Sequence, residues 1–194
     1  MDRNSLLEAG PTYTYLRGLL AVPIGVVFLL AGATYLEWGP FGSPWLFWGG
    51  ALACLTAGIG VDRFYRRHYG RVTPPREARI RDAVWTVFGV AALIGFAVVD
   101  SIFELPVNGY VLAYALMMFG YIATSIGLKL RHAVVWGALL LAGLLPVWNG
   151  VDDVSVGLLP MGIATLIGGL LDHAALVSNL GPSRVSAGNG NAGA

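Results

Sequence analysis

The chain has 194 residues, of which 56% belong to the set Ala, Val, Ile, Leu, Met, Phe, Trp, Tyr and Cys and only 12% are charged, for a net charge of +1. A soluble domain carries about 25% charged residues, and mean hydropathy here is +0.69. Folded in water, such a chain would expose large apolar patches; a soluble enzyme, a disordered chain and a nucleic-acid-binding domain are excluded, and a multi-span membrane protein is expected.

A helix that crosses the hydrocarbon core needs ~20 apolar residues. The first such stretch, residues 18–36, follows Arg17. Its Ala31-Gly32-Ala33 imitates a signal-peptide cleavage site. The apolar run continues through Leu36, however, and cleavage would leave five helices, so a retained helix is expected. Gly39-Pro40-Phe41-Gly42-Ser43-Pro44 is a turn into the second stretch, residues 45–61. A basic connection follows, in which Gly70 ends one helix and Thr73 caps the next, opened by Pro74 and Pro75. The third stretch, 83–99, is separated from the fourth, 110–128, by Leu105-Pro106-Val107-Asn108-Gly109. The fifth, 133–148, and the sixth, 154–171, flank Asn149-Gly150-Val151-Asp152-Asp153. Pro23, Pro146 and Pro160 are expected to kink their spans. The Gly/Asn/Ala-rich residues 182–194 read as a disordered tail.

The expected fold is therefore all-α: one transmembrane domain over residues 1–181, a bundle of six helices arranged as three antiparallel hairpins. The spans are apolar all round, unlike the alternating strands of a β-barrel. Thr56…Gly60, Thr124…Gly127 and Thr165…Gly168 close the even-numbered helices alike, which leaves a threefold hairpin duplication open. Small residues four apart, as in Ala21 and Gly25, Gly49, Ala53 and Ala57, Ala91 and Gly95, and Ala164 and Gly168, suit close helix approach, within the bundle or against a partner.

Charge gives the orientation. With six spans, all twelve Lys and Arg residues fall on one side, while Glu37, Asp100, Glu104, Asp152 and Asp153 fall on the other. Basic loops stay cytoplasmic, so both termini are expected inside. Eleven Arg against one Lys, with abundant Gly and Ala, suit a GC-rich bacterial gene, hence a bacterial inner membrane. Trp38, Trp45 and Trp148 at outer ends and Trp85 and Trp136 near inner ends read as an aromatic belt.

Three sets of residues could carry function. Arg63, Arg66, Arg67, Arg71, Arg76, Arg79 and Arg81 crowd the second connection and can hold anionic lipid headgroups at ~1 kcal/mol each, with Phe64, Tyr65 and Tyr69 as interface anchors; the same charges also suffice merely to fix topology. Asp62, Asp82, His132, Asp172 and His173 share one depth and form a candidate polar cluster; pairing with a neighbouring Arg is their ordinary role. Thr56, Thr124, Ser125 and Thr165 are the polar residues available for a solute site. No ionisable residue falls in the middle third of any span, which disfavours a proton-coupled pump. No GxSxG, HExxH or P-loop is present, and His132 and His173 lie too near the inner surface for a mid-membrane haem pair. A single cysteine, Cys54, allows no intrachain disulfide and no CxxC site, and reads as core packing. No catalytic residue, cofactor or metal is expected.

The leading expectation is a non-enzymatic accessory or scaffold protein working through helix packing and contacts with lipids, anionic ones above all, and with a partner membrane protein or a second copy of itself. A transporter component for a small neutral or apolar solute is the alternative, and a lipid-acting enzyme at the cytoplasmic face a third. No nucleic-acid partner is expected.

Overall fold

A computed structural model describes residues 17–69, 76–103, 106–125, 127–145 and 153–180. The N-terminal residues, the Gly70–Thr73–Pro75 cap, Arg71, Pro146, Trp148, the turn at 149–152 and the tail at 182–194 lie outside them. Among the described residues there are six α-helices and no strand. A short 3-10 turn, Gly18–Leu20, leads into α1, Ala21–Tyr35. Then come α2, Pro44–Tyr69, and α3, Arg76–Phe103. Helices α4, Gly109–Ser125, and α5, Leu130–Leu144, are shorter, and α6, Asp153–Leu180, closes the bundle.

Three helical stretches are long and apolar enough to cross a membrane: Gly18–Tyr35, Pro44–His68 and Val156–Ser178. Helices α4 and α5 are apolar but shorter, at 17 and 15 residues. Helices α2, α3 and α6 outrun their apolar stretches because polar residues such as Arg66, Arg79 and Asp172 continue the helix beyond them. Pro23 is no interior breaker. It stands in the first turn of α1, where the missing N–H has no intrahelical acceptor to lose. Pro160 does lie inside α6.

The largest seam joins α1 to α6. A Cβ built on Gly162 would stand 2.8 Å from the carbonyl oxygen of Gly25, and one on Gly169 would stand 2.5 Å from that of Gly18. Glycines seven apart on each helix thus bring the two backbones together, antiparallel. Helix α2 lies on the outer side of α1, with Gly50 against Leu30 and Gly58 against Pro23. Helix α5 joins α4 to α6, and α3 packs chiefly on α4. The buried core is built from α4, α5 and α6, around Val111, Tyr114, Trp136, Leu139 and Met161. Trp136 belongs to this core, 3% exposed against Gly168 and Tyr114, and not to a belt; Gly168 leaves the room its indole takes.

Two polar devices fix the end away from the arginines. Glu37 ends α1 with φ +51°, and the N–H groups of Glu37 and Trp38 bond back to Thr34 and Ala33. This is the left-handed cap that glycine ordinarily supplies. Asn108 is fully buried; its side-chain oxygen accepts from Val111 N–H at 3.0 Å and its own N–H donates to Gly143 O at 3.0 Å. It caps α4 and ties it to α5.

Candidate functional site: the basic end and the lateral grooves

At the basic end, α2 reaches back over α1 and α6. The carboxylate of Asp62, on α2, is clasped by Arg17 and by Arg66, whose Nε lies 2.6 Å away one helical turn on. The Arg17 guanidinium sits 5.2 Å from the centre of the Tyr65 ring. Tyr65 is fully buried; its hydroxyl accepts from Leu19 N–H at 3.2 Å and meets His173 Nδ1 at 2.8 Å. Leu176 of α6 packs beside it, with Leu19, Leu20 and Val61.

A second knot joins α5 to α6. Asp172 Oδ1 accepts from Arg131 Nε at 3.2 Å, from Arg131 Nη2 at 3.1 Å and from His132 Nε2 at 2.8 Å. His132 is 1% exposed, so a group this polar is buried only because the carboxylate meets it.

Of the five residues in the candidate polar cluster, the structure thus joins His132 to Asp172, His173 to Tyr65, and Asp62 to Arg17. It does not bring them to one point, and among the described residues no group of three His, Cys, Asp or Glu side chains could hold a metal ion. Asp82 stands apart, in a cleft between α3 and α4. Tyr65 was legible only as an interface anchor, because nothing in its neighbourhood along the chain announces a partner 108 residues away. Arg17 and Arg131 read as topology charges; folding also makes them the counter-ions of Asp62 and Asp172.

The four hydroxyls of the candidate solute site do not converge. Thr56 is exposed and donates to Ala53 O at 2.8 Å. Thr165 donates to Met161 O at 2.7 Å and accepts from Tyr114 Oη at 2.8 Å. Thr124 donates to Gly120 O and accepts from Trp85 Nε1, both at 2.9 Å. The Ser125 hydroxyl is buried without a partner. Each threonine spends its proton on its own helix, which leaves little for a passing solute.

Of the arginines in the second connection, Arg63, Arg66, Arg67, Arg76 and Arg79 are exposed and Arg81 is half-buried, its Nη1 donating to Thr124 O at 3.2 Å. Two lateral grooves open on the sides of the bundle. One, of about 500 Å³, lies between α1 and α2 and is lined by Ile24, Val27, Cys54 and Leu55, with Asp62 at its end. Cys54 is therefore a groove residue and not core. The other, of about 450 Å³, is lined by Phe28 of α1, Gly89 and Leu93 of α3, Met117 of α4 and Met161 of α6. None of the four hydroxyls lines either groove.

The small-residue stripes divide in two. Gly25 and Gly168 are buried in helix seams. Gly49 of α2 and Gly95 of α3 have nothing within 4 Å of the Cβ they lack, and Ala53, Ala57 and Ala91 beside them are exposed. No family model matches the chain, and neither a curated protein nor a solved structure is significantly similar to it.

Proposed function

We propose that the chain is a six-span protein of a bacterial inner membrane, three antiparallel hairpins with both termini on the arginine-rich cytoplasmic side, serving as a non-enzymatic accessory or scaffold. Several features support the membrane reading. The outward face of α2 carries large apolar residues, among them Trp45 and Leu52, the latter 62% exposed, while Gly50 and Gly58 face α1. Glycines against α1 and large apolar side chains left exposed suit a helix solvated by lipid tails, since packing there gains from close backbone approach and not from hiding apolar surface. The basic residues Arg17, Arg66, Arg81 and Arg131 gather at one end of the helices, as a cytoplasmic face requires.

One observation carries the accessory role: the stripes Gly49–Ala53–Ala57 and Ala91–Gly95 lie open on the outer faces of α2 and α3. Such stripes are landing places for another helix, from a partner or a second copy. Asp62, His132, Asp172 and His173 at the basic end are engaged in ion pairs and a tyrosine bond, which speaks for a holding role and against catalysis.

Open space over Gly49 and Gly95 makes the test clean. The double variants Gly49→Ile/Ala53→Ile and Ala91→Ile/Gly95→Ile add side chains at exposed positions and are expected to keep the wild-type melting temperature. In mild detergent, wild type runs as a complex of defined mass and at least one double variant loses the partner. Wild type running alone, with no crosslink in membranes from photoreactive residues at Ala53 or Ala91, overturns the proposal. Cysteines at Pro40 and Pro106, in a Cys54→Ala background, react with an impermeant reagent from outside; cysteines at Arg67 and Glu77 do not.

A further inference from the structure

The cleft that holds Asp82 is the least explained polar feature of the fold. Asp82 stands in the second turn of α3, half-buried, and its Oδ1 is buried with no hydrogen-bond partner. The carboxylate forms no ion pair with any described residue, although Arg79 and Arg81 flank it in sequence. The cleft, of about 240 Å³, is walled by Trp85, Met117, Met118 and Tyr121. Trp85 is pinned by its Nε1–H to Thr124 and laid against Gly120. Thr86 and Met117 line both this cleft and the apolar groove of about 450 Å³, so the two adjoin.

A carboxylate without a counter-ion, beside aromatic rings and thioethers, suits an ammonium group, which a ring face attracts and a carboxylate hydrogen-bonds. A phosphate would be repelled by Asp82 and belongs one step outward, where Arg79 and Arg81 stand. Beyond the polar head, the groove offers Phe28, Leu93 and Met161 to an alkyl chain. We propose that this space binds one aminophospholipid molecule, with its ammonium on Asp82, its phosphate toward the arginines of the first turns of α3, and one acyl chain along Gly89, Leu93 and Met117. The site is distinct from the exposed arginines that attract anionic lipid in general, because it selects the head by a carboxylate. It rests on the reading of α3 and α4 as membrane helices, and it needs no partner protein.

The test uses delipidated full chain in detergent, titrated by native mass spectrometry with phosphatidylethanolamine, with phosphatidylglycerol of the same acyl chains, and with a long-chain alkylamine. Phosphatidylethanolamine adds once, saturably, and about tenfold more tightly than phosphatidylglycerol, the worth of one charge-assisted contact. Asp82→Asn removes that preference; Leu93→Trp, which fills the groove, weakens phosphatidylethanolamine; Glu77→Gln changes nothing. Equal affinity of wild type for the two phospholipids, or an unchanged preference in Asp82→Asn, overturns the site. Should Asp82→Asn fold poorly, the wild-type head-group comparison and Leu93→Trp still decide. An alkylamine as tight as the phospholipid overturns the part given to the arginines. Because the isolated chain is used, failure here leaves the partner stripes of α2 and α3 untouched.

Discussion

Helices α3 and α6 are each 28 residues long and each mostly apolar, yet they live in different surroundings. Helix α6 packs on α1, α4 and α5, while α3 packs chiefly on α4 and leaves Val84, Val87, Phe88 and Ile94 more than half exposed. Helix α6 is the more apolar, and side-chain size at the contacts separates them further. Helix α6 presents Gly157, Gly162, Ala164, Gly168 and Gly169 to its neighbours, so three helices can touch its backbone. Helix α3 meets α4 through Trp85 and Met117, long side chains that hold the helices apart and leave a groove. Small residues at a helix contact let backbones approach closely, and the helix that places most of them at its contacts is the central one.

The sharpest way to break this contrast is to place the same kind of atom in both seams. Gly169→Val drives a side chain into the Gly18 carbonyl oxygen, already only 2.5 Å from a Cβ, and backbone cannot yield. A loss of about 3 kcal/mol or failure to fold is expected, read by unfolding in detergent. Gly89→Ala meets only Met117, whose thioether can swing aside into the groove. Its cost stays within about 1 kcal/mol. Equal losses would refute the distinction between a backbone seam and a side-chain seam.

Charge is the second hold on α6. Asp172→Asn leaves Arg131 and the buried His132 facing a neutral amide. The pair is only partly buried, between the exposed and the fully buried cases, so the cost is about 2 kcal/mol. The melting temperature of the purified variant checks it, and a silent substitution would show that the glycine seam suffices.

At the far end, Asn108→Ala removes the cap of α4 and opens space beside Gly157, where a Cβ would stand 2.8 Å from Asn108 Nδ2. A loss of about 1–2 kcal/mol is expected, and faster amide exchange at Val111 separates cap loss from general loosening. The smallest effect has the opposite sign. Glu37→Gly relieves a left-handed residue in the α1 cap and is expected to stabilise by about 1 kcal/mol. A destabilised variant would assign the Glu37 side chain a role that its backbone does not explain.

The candidate site was legible in its ingredients and not in its assembly. Asp62, Asp172 and His173 stand out in the sequence because charge at the end of an apolar helix is conspicuous. Which arginine each carboxylate takes was not legible, because Arg17 and Asp62 are 45 residues apart and their meeting depends on which helices are neighbours. The threonines are the opposite case: they are conspicuous in apolar helices, but that their hydroxyls bond to carbonyls three or four residues back shows only in the folded chain.

The sequence by itself determined that the chain is helical, because apolar stretches of this length can satisfy their backbone only within themselves. It also determined where most turns fall, through Gly and Pro. Only the tertiary structure decided that α1 and α6 form the central seam, that Trp136 turns inward, that Asn108 is buried, and that Asp82 is left beside a groove. Those outcomes depend on the fit of small residues against backbones from distant parts of the chain. An apolar pattern cannot encode that fit, because every face of these helices is apolar and only contact distinguishes them.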